Sequence, residues 1–287
     1  MIHLSHRSVA LPLLVSIFRV GPAVAFSSLT RPPHRSLSRL KARGDYAGYH
    51  VTYDIDGTHI SVPEFYVPQA LLEWGQAPSA LEVIVSENED DTRHVLTVLP
   101  ETGCGLDNLE VLQRRETLGT PLWKTNENIA ASVYVSSSRL ECVFAQPNNH
   151  RSRVVLNCDV STGSLQKPIS LYLERKISET STEGRRADGG GLDARSVSGW
   201  VGPELRALES SLNQFCIPTN LAALDGNIKH AFGLPGNVTV ACDTDEKALT
   251  LWVNQAYGDQ SRWIELKCRN NEWKARSWLD TITSDAT

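Results

Sequence analysis

Apolar side chains alternate with polar ones through 169–177: Ile169, Leu171, Leu173 and Ile177 share one side, and Ser170, Tyr172, Glu174 and Lys176 the other. A period of two is what a strand half-buried in an antiparallel sheet requires. The same one-sided pattern recurs along most of the chain. It predicts strands at 50–54 and 58–62, joined by the tight-turn pair Asp56-Gly57, and at 81–85 and 94–99, joined by an acidic turn. Further strands are predicted at 131–135, 140–144, 153–158, 237–242, 248–253, 262–268 and 272–278, the last two flanking Asn270-Asn271. Helical signals are few. One short helix follows Pro68 and ends at Gly75, and another covers 202–212, with Pro203 in its first turn and Leu205, Leu208 and Leu212 at helical spacing. Segment 106–118 reads as a short amphipathic helix or an irregular excursion, and 220–232 is ambiguous. Many short strands, close turn signals and two short helices predict a mainly β protein, an antiparallel barrel or sandwich.

The first 43 residues follow no such pattern. An apolar run, 10–18, is too short to span a bilayer and leads to Ala23-Val24-Ala25, a small-x-small cleavage site. Residues 26–43 are rich in Ser and Arg and contain no acid, which is transit-peptide composition. A signal peptide cut before Phe26 and followed by such a stretch resembles the bipartite plastid presequence of algae with complex plastids. The expected organisation is therefore a signal peptide at 1–25, a transit-like segment at 26–43 and one β domain, 44–287, with room for an N-terminal extension. The resemblance implies delivery to the plastid stroma. The alternative is a secreted protein with a basic propeptide.

Charge changes once the presequence is set aside. The chain has 28 basic and 33 acidic residues; seven basic residues and no acids lie in 1–43, leaving 21 against 33, a net charge near −12. An acidic body lacks the clustered Lys and Arg that nucleic-acid binding requires. No later apolar run has the length of a transmembrane helix. The six cysteines are dispersed without a Cys-x-x-Cys pair, and several sit inside apolar strand patterns, where reduced thiols behave as small hydrophobes.

Candidate chemistry is sparse. His50, His59, His94, His150 and His230 have no metal-ligand spacing, so no metal site is expected. No phosphate-binding glycine loop or nucleophile elbow is present. Two clusters remain. The first is the aromatic and acidic segment 64–76, centred on Trp74, which as plain structure is a helix plugging one end of a barrel. The second joins Glu174 and Arg175 to the glycine-rich loop 188–195, where Asp193 and Arg195 could hold a carboxylate or phosphate. Its plain reading is a hairpin connection capped by an Asp–Arg pair.

The C-terminal run Leu234-Pro-Gly-Asn-Val-Thr-Val, with Leu251-Trp252, Arg262-Trp-Ile-Glu-Leu and Glu272-Trp-Lys-Ala-Arg, resembles the last strands of calycin, lipocalin-like proteins. In particular it is similar to those related to the S-type phycobilin lyases; no lyase catalytic residue is matched here. The resemblance implies a lipocalin-like barrel whose aliphatic inner face surrounds a bilin, pigment or lipid, with Trp74, Glu174, Arg175, Asp193 and Arg195 at the ligand. Two other functions are kept open: a non-enzymatic assembly or interaction factor for a photosynthetic complex, with a filled barrel, and a chromophore lyase. A core packed solidly with large side chains favours the assembly factor; an open cavity bordered by carboxylates favours the binder or the lyase.

Overall fold

The structure is a computed structural model that describes residues 44–87, 91–100, 111–125, 129–136, 138–159, 161–162, 164–177, 201–224, 228–245, 248–270 and 272–282. Asp193, Arg195 and Cys104 lie outside the described residues, as does the whole presequence.

Fifteen strands are described: β1 (Asp45–Tyr53), β2 (His59–Ile60), β3 (Leu81–Glu87), β4 (Thr92–Val98), β5 (Val111–Thr117), β6 (Thr120–Thr125), β7 (Ala130–Val135), β8 (Arg139–Ala145), β9 (His150–Asp159), β10 (Ser164–Lys176), β11 (His230–Leu234), β12 (Val238–Asp245), β13 (Ala248–Tyr257), β14 (Gln260–Arg269) and β15 (Glu272–Thr281). Two short α-helices accompany them, α1 (Gln69–Glu73) and α2 (Gly202–Leu208). The expected class forms: a mainly β, antiparallel fold with a curled half-barrel sheet. Where a short amphipathic helix or an irregular excursion is expected, 106–118 instead holds the strand β5, and the ambiguous segment 220–232 ends in the first residues of β11.

Strands β1 to β10 make one sheet in the order β5-β4-β3-β1-β10-β9-β8-β7-β6, with β2 hydrogen-bonded to β1. β1 therefore pairs with β3 on one side and β10 on the other, so the meander leaves from and returns to the same strand. The path is interrupted between β5 and β6, the two edge strands of this order. Strands β11 to β15 form a second, five-stranded meander.

The half-barrel has two different faces. Tyr49, Val51 and Tyr53 of β1, Leu140, Cys142 and Phe144 of β8, Val154 and Leu156 of β9, and Ile169, Leu171 and Leu173 of β10 point away from the concavity. They pack against Val240 and Cys242 of β12, Leu251 and Val253 of β13 and Ile264 and Leu266 of β14 in one continuous core. The aliphatic faces that the alternating pattern assigned to a ligand are thus covered by the second sheet. The period-two pattern identifies which side chains are buried, not against what; here another apolar sheet face covers them. Cys142, Cys158, Cys242 and Cys268 are buried members of this core and form no disulfide with one another.

Helix α1 starts after Pro68, whose missing N–H costs nothing at a helix start, and gives way to Gly75 at φ +66°. Helix α2 has Pro in its first turn and buries Leu205 between polar flanks. It continues into a 3₁₀ turn, Glu209–Ser211, and Leu212 closes the segment against the core.

Candidate functional site

The concave face of the half-barrel is lined by charge. Among the described residues it gathers Arg93 of β4, Arg114 and Glu116 of β5, Glu87 of β3, Arg139 and Glu141 of β8, Arg151 and Arg153 of β9, and Glu174 of β10. Arg93 donates two parallel bonds to Glu141, at 3.0 and 2.7 Å, and a third to Glu87 at 2.8 Å. Arg153 grips Glu174 through Nη2 at 2.7 Å and Nε at 2.9 Å, and Arg151 Nε donates to the same carboxylate. Arg151 Nη1 also lies 3.0 Å from Glu87, and Arg139 bridges Glu116 and Glu141 at 3.5 Å each. Bidentate arginine–carboxylate pairs are the strong, directional form of this contact.

Aromatic rings complete the lining. The Arg151 guanidinium sits 3.4 Å over the Tyr46 ring and that of Arg153 lies 3.9 Å over Tyr172. His50 stacks on Tyr172, centroid to centroid at 4.3 Å, and Arg114 donates to the Tyr172 hydroxyl at 3.3 Å. Val83, Val85, Val95 and Val155 fill in around Tyr46 and Tyr172.

These surroundings fix the protonation states. Burial alone would raise the pKa of Glu174, but Arg151 and Arg153 overcome it and hold the carboxyl at about 2. Glu141 is held at about 2 against the same burial, by Arg93 and Arg153. Burial opposes charge on Arg153 too, and Glu174 and Glu141 reverse that, raising its pKa well above the arginine range. His50 is lowered to about 4 by burial and by Arg114 and Arg153, so its ring is neutral. Near neutral pH Glu141 and Glu174 are carboxylates, Arg153 keeps its charge and the His50 imidazole is neutral, so the face is a locked ion lattice. Burial also keeps the Tyr46 hydroxyl protonated, its pKa pushed up to about 12.

The residues read from sequence are distributed differently from the site they were expected to form. Glu174 enters this lattice, fully buried. Arg175, its neighbour in β10, points to the opposite face, where its guanidinium lies 2.6 Å from the place a Cβ on Gly202 would occupy. Trp74 caps the C-terminus of α1 and is exposed. The lattice partners Arg93, Glu141, Arg151 and Arg153 were missed because their polar face reads as a solvated one. The available signal was opposite charge at matching period-two positions, Arg151 and Arg153 on one strand and Glu174 on the next.

A second concavity lies on the far side of the half-barrel, where β9 and β10 meet α2 and the turns of the five-stranded sheet. It encloses about 200 Å³. Leu173, Leu205, Leu208 and Ala256 supply apolar walls, and His150, Ser152, Asn237 and Tyr257 supply polar ones. Asn148 Nδ2 lies 3.0 Å from His150 Nδ1, while His150 Nε2 sits 3.0 Å from the Glu204 carboxylate. An amide donating to Nδ1 leaves the ring proton on Nε2, facing Glu204. Burial lowers the His150 pKa although Glu204 pulls the other way.

No protein-family model matches the chain, and no curated protein matches it either. Among solved structures, a point mutant of the fluorescent protein UnaG is similar over 48% of this chain and 98% of its own, at 13% identity and a TM-score of 0.20.

Proposed function

We propose that this chain is a non-catalytic binding protein of the plastid stroma that takes a small, mainly apolar molecule into the 200 Å³ cavity between the half-barrel, α2 and the five-stranded sheet. The single supporting observation is that cavity's mixed lining, in which Leu173, Leu205, Leu208 and Ala256 stand among the polar Gln146, His150, Arg151, Ser152, Asn237 and Tyr257. In a small-molecule site apolar walls give affinity and polar groups give orientation. Drug-sized ligands occupy about 300–1,000 Å³. The volume therefore suits the end of a lipid or isoprenoid chain better than a whole bilin or other tetrapyrrole. Plastid delivery rests on the presequence pattern.

The filled concave face favours a second reading, an assembly or interaction factor that carries no ligand. Large charged side chains occupy the space a lipocalin-type ligand would need, and they bond to one another.

The test is native mass spectrometry with absorbance spectra on protein purified from its own plastid, followed by titration with a fatty acid, a carotenoid and a bilin. Binding predicts a co-purifying molecule or uptake of one probe, abolished by Leu208→Trp, which fills the cavity. A clean apo mass with no uptake of any of the three leaves the assembly reading in its place.

A further inference from the structure

Four large apolar side chains stand in solvent on two segments that the fold draws to one end. Phe65 (77% exposed) and Trp74 (64%) belong to the β2–β3 connection, and Phe215 (70%) and Ile217 (78%) to the stretch after α2. The Phe65 ring lies 3.9 Å from that of Tyr66, so this part of the surface is already an aromatic pair. Beneath it, Val62, Val67 and Leu81 form a small core with Leu71 and Leu72, which holds the connection in place without covering Phe65 or Trp74.

Several contacts tie the stretch after α2 to β1. The Tyr53 hydroxyl donates to the Leu212 carbonyl at 2.7 Å, and that of Tyr49 to Glu209 at 3.2 Å. Cys216 bridges to Gly233 of β11. The adjacent Phe232 lies against Gly57 in the β1–β2 turn, so closely that a Cβ there would come within 2.8 Å of it. That stretch is thus anchored around the C-terminal half of β1, and the β2–β3 connection leaves the same region through β2, which pairs with Thr52 and Tyr53.

Their charge has one sign. Residues 54–80 contain Asp54, Asp56, Glu64 and Glu73, and 207–224 contain Glu209; neither range holds a Lys or Arg. The cations found beside them are already engaged, Lys167 at 3.2 Å from Asp54 and Arg206 near Glu82 and Glu209. An anionic membrane surface would be repelled by this end. A cationic polypeptide presenting aliphatic side chains is complementary to it in both respects: its apolar groups cover Phe65, Trp74, Phe215 and Ile217, and its Lys or Arg residues meet the acids around them.

We infer that the end of the molecule carrying Phe65, Trp74, Phe215 and Ile217 is a docking surface for a basic, amphipathic polypeptide segment of a partner protein. Apolar anchors supply most of the affinity at such a surface, while the acidic surround sets partner choice, association rate and salt dependence. This surface is separate from the cavity, and either can fail without the other.

The test uses the full chain, an 18-residue helical peptide of Lys and Leu, a matched peptide of Glu and Leu, and vesicles of phosphatidylcholine with phosphatidylglycerol. Isothermal calorimetry measures affinity, and hydrogen exchange maps the contact. The expected result is binding of the Lys–Leu peptide alone, weakened by salt, with new protection at 63–76 and 213–217. The triple variant Phe65→Ser, Phe215→Ser, Ile217→Ser is expected to bind roughly tenfold more weakly or worse. Because these side chains are exposed, its melting temperature should stay close to that of the parent, which shows that the variant folds. Unchanged affinity in the variant, equal binding of the Glu–Leu peptide, or binding only to vesicles overturns the inference.

Discussion

Arg93 of β4 and Glu141 of β8 face each other through two parallel hydrogen bonds, although β3, β1, β10 and β9 lie between their strands in the sheet. Side chains that far apart in a sheet meet only if it curls, so this pair measures the curvature of the half-barrel. Both groups are removed from water, so each depends on the other for solvation.

Removing one partner should therefore cost far more than removing both. Glu141→Leu is expected to lower unfolding free energy by about 3–5 kcal/mol, because it removes the bidentate partner of Arg93, leaving it Glu87 and Glu116, and one carboxylate beside Arg153. The double variant Arg93→Met, Glu141→Leu should recover much of that loss. Urea titrations of the two single variants and the double give the coupling directly; additive losses would show that the pair is not solvating itself.

Acid should weaken the fold in two stages. Glu141 and Glu174 are held at about 2 in the folded chain, below the ordinary carboxylate value. Their contribution is present above the unfolded pKa and is lost as pH falls from near 4.5 toward 2. His50, held at about 4, acts earlier: between its ordinary 6.5 and 4 the unfolded chain takes up a proton that the folded chain refuses. Stability is thus expected to fall as pH drops below about 6.5 and more steeply below about 4.5. Thermal melts from pH 8 to 3 check this, and His50→Gln should remove the upper part of the dependence.

Gly48 admits no side chain. A Cβ there would lie 1.9 Å from the Leu173 carbonyl oxygen and 2.8 Å from the Glu174 Cα, both backbone atoms of the neighbouring strand. Gly48→Ala is expected to cost about 3 kcal/mol or more by prising β1 from β10. Circular dichroism melts would register it as a large drop in melting temperature.

Cys216 differs from the other described cysteines. Burial pushes the thiols of Cys142 and Cys158 up, the latter to about 12, whereas Cys216 is only half-buried. A thiol reagent should modify Cys216 ahead of Cys142, Cys158, Cys242 and Cys268 in the native protein, and Cys216→Ser should delete that early phase.

Sequence periodicity carried much of the architecture because most strands bury one aliphatic face, as 169–177 does. It failed where polar residues face inward. In β5, Arg114 and Glu116 point into the lattice while Gln113 and Arg115 alternate with them, so no apolar stripe marks the strand. β11 is a five-residue strand with an exposed His230 at its start and Gly233 within it, too short to show a period. The site was less legible than the fold. Glu174 and Arg175 are adjacent in sequence, yet successive residues of a strand face opposite sides, and one joins the lattice while the other leaves it. Which residues lie across the concavity from Glu174 is decided by strand order, and a single strand's pattern carries no information about that.

The central place of β1 also sets a timetable for the nascent chain. Its register with β10 joins Tyr46 to Lys176, a separation of 130 residues. At a synthesis rate of about 5–20 residues per second, β1 emerges roughly 6 to 26 s before that partner exists. Until then one edge of the first-made strand stays open, and the curl that brings Arg93 to Glu141 cannot close. The chain cannot complete its half-barrel from the front, and the strand made earliest is among the last to be satisfied on both sides.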